Sequence, residues 1–351
     1  MGGSHSNILP RLLLLLELFF EDFLLLFSLG SSSQQGRQPF FGTTPNGMDL
    51  SRHQNLGSSA IIDVSNTTTF HLVKDINTLK QSYPSWFAVL NNVTYFAADD
   101  GVHGSELWRS DGTSAGTHLV KDINPGWYSA NINEITAANG KIYFSAYTDA
   151  EGQQPWVSDG TTDGTQLLKN IPGSYLYGSY PTQFVNVNGT VFFITDGYSV
   201  QSEIWKTDGT EAGTVMVKDL ALTDGVNYIY QSTAANGLLF FAPAYSNYGQ
   251  VLGRSDGTDA GTYMIYPYFN YYSGPLQLTE FYNKLYFSAD DGSGRKLWMS
   301  DGTFEGTSYA PNNNPVTLQG NSYDYFSPHP FTIVGKALYF WAYTSVTGWE
   351  F

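Results

Sequence analysis

Asp-Gly-Thr occurs five times, at Asp111, Asp159, Asp208, Asp256 and Asp301. A repeated carboxylate beside glycine is a conceivable calcium ligand. Ca²⁺ takes roughly six to eight oxygens, usually with several carboxylates among them, and one Asp per turn is too few. The residues favour an Asx-type turn, in which the Asp side chain bonds to the backbone two residues on. Asp99-Asp100-Gly101 and Asp290-Asp291-Gly292 each set two carboxylates beside a glycine. They are stronger cation candidates, although acidic hairpin turns are common. Trp108, Trp156, Trp205 and Trp298 could form sugar-stacking platforms. Each, however, holds the same place in its segment, as a residue packing one repeat on the next would.

Enzyme constellations are missing. The six histidines (His5, His53, His71, His103, His118 and His329) are scattered, and His71 and His118 hold equivalent repeat positions. There is no His-Glu-x-x-His, no Gly-x-Ser-x-Gly and no phosphate loop. The expectation is a non-enzymatic protein with no catalytic residues, resident metal or cofactor. The enzyme alternative would need acids from several repeats converging on a central channel.

The Asp-Gly-Thr turns recur every 45 to 49 residues. An aromatic pair closing a strand-like run occurs six times, at Tyr95-Phe96, Tyr143-Phe144, Phe192-Phe193, Phe240-Phe241, Tyr286-Phe287 and Tyr339-Phe340. There are thus six units. Each reads as four short strands rich in β-branched and aromatic residues. In the unit around Trp108 these are residues 85–90, 93–98, 106–109 and 117–123. Four antiparallel strands in about 45 residues make one propeller blade. The predicted fold is all-β, a six-bladed β-propeller of four-stranded antiparallel blades; a β-solenoid or a string of separate small sheets is the alternative. Gly253 stands at the Trp position of the fourth unit, which predicts a looser blade or one facing a partner.

The sixth unit is divided. Residues 57–76 align without a gap on residues 104–123, with an identical His-Leu-Val-Lys-Asp-Ile tail. Ile61 takes the place of Trp108, and Val64-Ser65-Asn66 that of Asp-Gly-Thr. Residues 348–351 align on 104–107. The sixth blade is therefore expected to be split between the two ends of the chain. The closing or assembling residues would be Ile61, Ile62, Val64, Phe70, Leu72, Val73, Ile76, Trp349 and Phe351. Pairing both ends removes an exposed sheet edge. The same geometry allows the N-terminal piece to complete a neighbour's blade, and a head-to-tail exchange that does not close builds a fibre.

Three organisational segments follow: residues 1–30, apolar; 31–56, a Ser-, Gln-, Gly- and Pro-containing linker; and 57–351, the propeller. Residues 8–29 are interrupted by Glu17, Glu21 and Asp22, which argues against a membrane-spanning helix. A signal peptide, a helix outside the ring retained for assembly and an anchor remain open. The net charge of -15, with only 16 Lys and Arg, argues against nucleic acid and anionic membranes as partners. The chain has no cysteine, which excludes disulfides and thiolate chemistry. Asn66, Asn92 and Asn188 each begin a glycosylation sequon and fall in predicted turns.

The pattern of residues 106–123, Glu-Leu-Trp-x-Ser-Asp-Gly-Thr-x-x-Gly-Thr-x-Leu-Val-Lys-Asp-Ile, resembles the ELWxTDGTxxGT repeat of large secreted and surface proteins, mostly bacterial. Residues 203–210 and 296–303 carry it next best, and the resemblance covers residues 57–351. It implies a propeller-like, extracellular, non-enzymatic protein and transfers no catalytic residue. The expected function is that of a structural or adhesive glycoprotein whose partner is itself, as a homo-oligomer, filament or surface lattice. The 25 tyrosines, clustered in 175–180, 228–230, 245–248 and 263–272, suit interfaces. The alternative is a monomeric secreted propeller that binds a glycan or peptide through its loop faces.

Overall fold

The computed structural model describes residues 71–350 apart from 174–177, 197–201, 246–248, 266–268, 270–273, 312–316, 319–330, 341 and 345–347, together with Leu13–Leu14, Phe27–Ser28, Ala60–Val64 and Phe70. The chain forms two compact units, Met1–Ala130 and Asn131–Phe351.

The first unit carries blade 1, an antiparallel sheet of Ser85–Leu90, Val93–Asp99, Ser105–Ser110 and His118–Lys121 in sequential order. These strands match the predicted ones to within two residues at each end. The segment aligned with the outer half of a blade forms a hairpin of Ala60–Val64 with Phe70–Asp75. Residues Leu13–Leu14 and Phe27–Ser28 are extended and paired, not helical as predicted. A continuous apolar run does not by its periodicity distinguish strand from helix, and Leu and Phe serve both. The rest of the predicted helix at 1–30, and the linker at 31–56, lie outside the described residues.

The second unit repeats the blade four times. Blade 2 is Asn133–Ala138, Lys141–Thr148, Gly152–Ser158 and Gln166–Leu167. Blade 3 is Pro181–Val187, Thr190–Thr195, Glu203–Thr207 and Val215–Asp219. Blade 4 is Tyr228–Ala235, Leu238–Tyr245, Leu252–Ser255 and Tyr263–Ile265, with Gly249–Gln250 added to its second strand. Blade 5 is Leu276–Phe281, Lys284–Asp290, Arg295–Ser300 and Ser308–Tyr309. The inner part of a sixth follows: Thr332–Val334 pairs Ala337–Tyr339, and Thr317–Leu318, Ala342–Thr344 and Gly348–Glu350 form a second small sheet. The one α-helix among the described residues is Leu220–Asp224, capped by the Asp219 side chain and by Gly225.

Local chemistry explains the hairpins. The first two strands of blades 1 to 5 are joined by two residues with positive φ, as in Asn139-Gly140, Asn188-Gly189 and Asn236-Gly237. That is the requirement of a type I′ turn, which Asn and Gly meet at least cost.

The first strands of blades 2 to 5 lie side by side in sequence order, the arrangement of propeller blades around an axis. Between the blades sit the repeated aromatic pairs. Because successive strand residues face opposite sides, each pair serves two interfaces. Phe193 packs with Tyr143, Phe184 and Trp205 between blades 2 and 3. Its neighbour Phe192 packs with Phe241, Ile204 and Met264 between blades 3 and 4. Phe240 in turn joins Phe287, Leu252 and Trp298 between blades 4 and 5. The repeated Trp108, Trp156, Trp205 and Trp298 are all buried, at 5 to 9% exposure, so these side chains pack the blades.

Blade 4 is not loosened by Gly253. A Cβ there would lie 2.3 Å from the Phe241 ring, so that ring fills the space the indole takes elsewhere, and both Phe241 and Leu252 are fully buried.

Candidate functional site

The Asp-Gly-Thr segment is a closed hydrogen-bond unit. Asp111 Oδ1 accepts from the Thr113 N–H at 2.9 Å and its hydroxyl at 2.7 Å. Thr113 Oγ1 accepts from the Gly116 N–H, and the Thr117 hydroxyl donates to the Thr113 carbonyl. The same set recurs at Asp159, Asp208, Asp256 and Asp301. The Thr113 hydroxyl and N–H hold the Asp111 carboxyl below its usual range. The turn also explains the second glycine of the motif, since a Cβ on Gly116 would fall 2.0 Å from the Asp111 carboxylate.

The acidic hairpins are closed in the same way. Asp290 Oδ1 accepts from the Gly292 and Gly294 N–H groups, and Asp291 from Ser293 and the Tyr309 hydroxyl. Asp99 accepts from the Gly101 N–H. Asp100 accepts from the Val102 and His103 N–H groups, and its Oδ2 lies 2.7 Å from His103 Nδ1.

The turns are also where one blade grips the next. Lys169 Nζ donates to the Glu211 carbonyl at 3.4 Å and Lys218 Nζ to the Thr262 carbonyl at 2.9 Å. Both lysines hold the Lys position of the repeated tail, which reads Leu-Leu-Lys-Asn-Ile at 167–171 and Met-Val-Lys-Asp-Leu at 216–220, and both reach the following blade's turn. Lys74 holds the same repeat position in the N-terminal hairpin and donates to Thr117 at 2.6 Å. Ile76 packs with Phe96, Ala98 and Trp108. The hairpin therefore sits on blade 1 as the outer strands of a preceding blade would.

The first strand of blade 1 carries exposed apolar side chains. Phe184 and Phe331 hold the position of Phe87 in blades 3 and 6. They are buried, at 6 and 9% exposure, against residues of blades 2 and 5 respectively. Phe87 is 36% exposed and stacks on Phe96 of its own blade at 5.6 Å. Trp86 and Val89 on the same strand are more exposed still.

The predicted assembly residues divide accordingly. Val73 and Ile76 are buried and Leu72 is exposed. Ile62 and Val64 pair with Leu72 and Phe70 across the hairpin, and Ile61 lies in the same strand. Trp349 pairs with Tyr343, and Phe351 lies outside the described residues. Asn92 and Asn188 are exposed and sit in positive-φ turns; Asn66 lies outside the described residues. Of the tyrosine clusters, Tyr228 and Tyr230 are exposed and meet edge to face at 4.9 Å. Parts of the other three lie outside the described residues.

Sequence reasoning did not single out two other features. Glu106 is fully buried, with its two oxygens accepting from the Ile123 N–H at 2.7 Å and the Ala130 N–H at 3.0 Å. Burial pushes its carboxyl up to about 8, against the pull of those bonds. Gln154 does the same work in blade 2, accepting from the Ile171 N–H. The recurrence of Glu or Gln before the Trp was the available signal. The second feature is a repeated bulge in the first strand. Trp86, Glu134, Gln183 and Gln277 hold matching positions with φ between 55 and 60°. The Gln183 N–H donates to Glu134, and its amide donates to the Ile229 carbonyl. These bonds stitch neighbouring inner strands, and burial raises the Glu134 carboxyl.

Strand order, blade contacts and repeated clasps define a repeat protein of the β-propeller class. No protein-family model and no curated protein matches the sequence. Among solved structures it is similar to TolB from Acinetobacter baumannii, at 11% identity and a TM-score of 0.38, over 68% of this chain and 56% of that one. It is also similar to a prolyl endopeptidase, at 10% identity and 0.49, over 76% and 42%, and to a puromycin hydrolase variant, at 12% and 0.45, over 84% and 48%. The chain spans about half the length of these structures. The propeller assignment rests on the chain's own sheets. Among the described residues no helix is long and apolar enough to cross a membrane.

Proposed function

We propose that this protein is a non-enzymatic, extracellular structural or adhesive propeller that self-associates through its divided sixth blade, head to tail, into a filament or surface lattice. The observation that supports this reading is the exposure of Phe87 on blade 1, to which an outer half-blade hairpin is clasped by Lys74. The missing inner strands correspond by repeat alignment to residues 331–350. When a second copy supplies them, every subunit offers one such hairpin and one such set of strands. Neighbours then link without a closing symmetry, by strand addition at a sheet edge. Extracellular placement is supported by the exposed sequons at Asn92 and Asn188 and by the repeat's resemblance to surface proteins.

The test is deletion of residues 57–76, followed by electron microscopy and sedimentation. Under exchange between copies, the deletion leaves a stable but unassembled protein, and a peptide of that sequence caps filaments of the intact chain. If the deletion unfolds the isolated monomer outright, the segment closes its own ring and the filament reading fails.

A further inference from the structure

We propose that the loop at residues 125–129 of blade 1, together with the hairpin turn at 99–104, is a binding site for a neutral pyranose glycan. This site belongs to blade 1 alone and does not rest on self-association.

Trp127 is 73% exposed and Tyr128 50% exposed, in contrast to the four buried tryptophans of the repeat. Their rings stack at 4.2 Å between centroids and 29° between planes. Tyr128 therefore backs one face of the indole and leaves the other to solvent. Val102, at the tip of the hairpin, is also largely exposed.

The loop is held rigid at both ends although its aromatic rings serve no core. The Gly126 N–H donates to Asp122 Oδ2 at 3.3 Å, and Gly126 has a φ of 111°. The Asn124 amide donates to the Ser129 carbonyl, and Ser129 Oγ accepts from the Ser105 N–H. The Ala130 N–H is shared between the Ser105 carbonyl and Glu106. Loop and hairpin touch through their backbones, since a Cβ on Gly104 would lie 2.8 Å from the Tyr128 carbonyl. A platform fixed in this way loses little conformational freedom when a ligand arrives.

Acidic and polar groups lie on the same loop and hairpin. Asp122 Oδ1 is buried and has no hydrogen-bond partner, an acceptor left for an incoming donor. His103, paired with Asp100, lies near enough to Asp122 to feel its charge. A flat, exposed apolar face on a loop that also carries carboxylates suits a pyranose, whose axial C–H bonds would lie on the indole. Asp99, Asp100 and Asp122 repel phosphates and other anions. A quaternary ammonium wants several ring faces around it, and here the two rings cover each other.

The test uses the full chain and hexasaccharides of glucose, mannose, galactose, xylose and N-acetylglucosamine, read by calorimetry and tryptophan fluorescence. At least one of them is expected to bind saturably. Trp127→Ala should weaken that binding about tenfold or more, with melting unchanged because the ring is exposed. Phe304→Ala, a change to an exposed aromatic of blade 5, should leave binding intact. Asp122→Asn supplies a second, independent loss should Trp127→Ala disturb the fold. Absence of binding by all five sugars at millimolar concentration, or equal affinity in the Trp127 and Asp122 variants, overturns the proposal.

Discussion

Lys74 Nζ lies 2.6 Å from the Thr117 carbonyl, in the same relationship that Lys218 has to Thr262 at 2.9 Å. An N-terminal hairpin that is only half a blade thus repeats the lysine-to-carbonyl grip of blade 3 on blade 4. Hydrogen bonds from charged donors contribute about 1.5–3 kcal/mol. Lys74→Met should therefore free residues 70–76, seen as faster amide exchange there, while blade 1 keeps its protection. Lys218→Met should instead lower the unfolding midpoint in urea. Unchanged exchange in Lys74→Met would deny the clasp its role.

The Asp111 turn predicts a coupling. Gly116→Ala drives a methyl into the Asp111 carboxylate, and overpacking of this kind costs about 1–3 kcal/mol. Asp111→Ala removes the carboxylate and its two bonds. The double variant should be clearly less destabilised than the sum of the singles, because the clash vanishes with the side chain. Strict additivity in a double-mutant cycle would refute this geometry.

Glu106 predicts a pH dependence. Its folded carboxyl titrates at about 8, raised from 4.5 by burial, so the folded state keeps a proton that the unfolded chain releases. This contribution to stability is full below about pH 4.5 and is lost as pH rises towards about 8. Glu106→Gln should flatten the melting temperature across that window and raise it at the upper end. Gln154 already shows an amide filling the equivalent place. A variant whose profile still falls in parallel with the original would assign the slope to other groups.

The interblade aromatics predict unequal costs. Trp298→Ala should cost about 3–5 kcal/mol, since the indole is buried among Phe287, Leu252 and Phe269. Gly253→Ala should cost about 1–3 kcal/mol by overpacking Phe241, although glycine to alanine in a strand is ordinarily favourable. Denaturant unfolding of both variants checks this. A stabilised Gly253→Ala would mean that the ring moves aside freely.

The repeat was legible because each blade solves the same local problem with the same residues. Asn-Gly pairs make the tight hairpins, alternating aromatics make the buried second strand, and Asp-Gly-Thr-x-x-Gly-Thr makes the outer turn. Periodicity at Leu13–Leu14 and Phe27–Ser28 was uninformative, because a uniformly apolar stretch has no face to read. What fills the place of the missing Trp at Gly253 was not legible, because Phe241 lies on another strand and only packing brings its ring across.

By itself the sequence determined the blade: the strand count, the turns and the alignment of residues 57–76 with residues 104–123. Those follow from interactions a few residues apart, which side-chain type and spacing encode directly. Only the tertiary structure decided which aromatics are core and which are surface. Trp108 and Trp127 are the same residue nineteen positions apart, one sealed between strands and the other standing in solvent. The difference arises from what lies opposite each ring, and opposite partners come from distant parts of the chain. For the same reason the burial of Glu106, the reach of Lys74 and the exposure of Phe87 became visible only once the sheets were stacked.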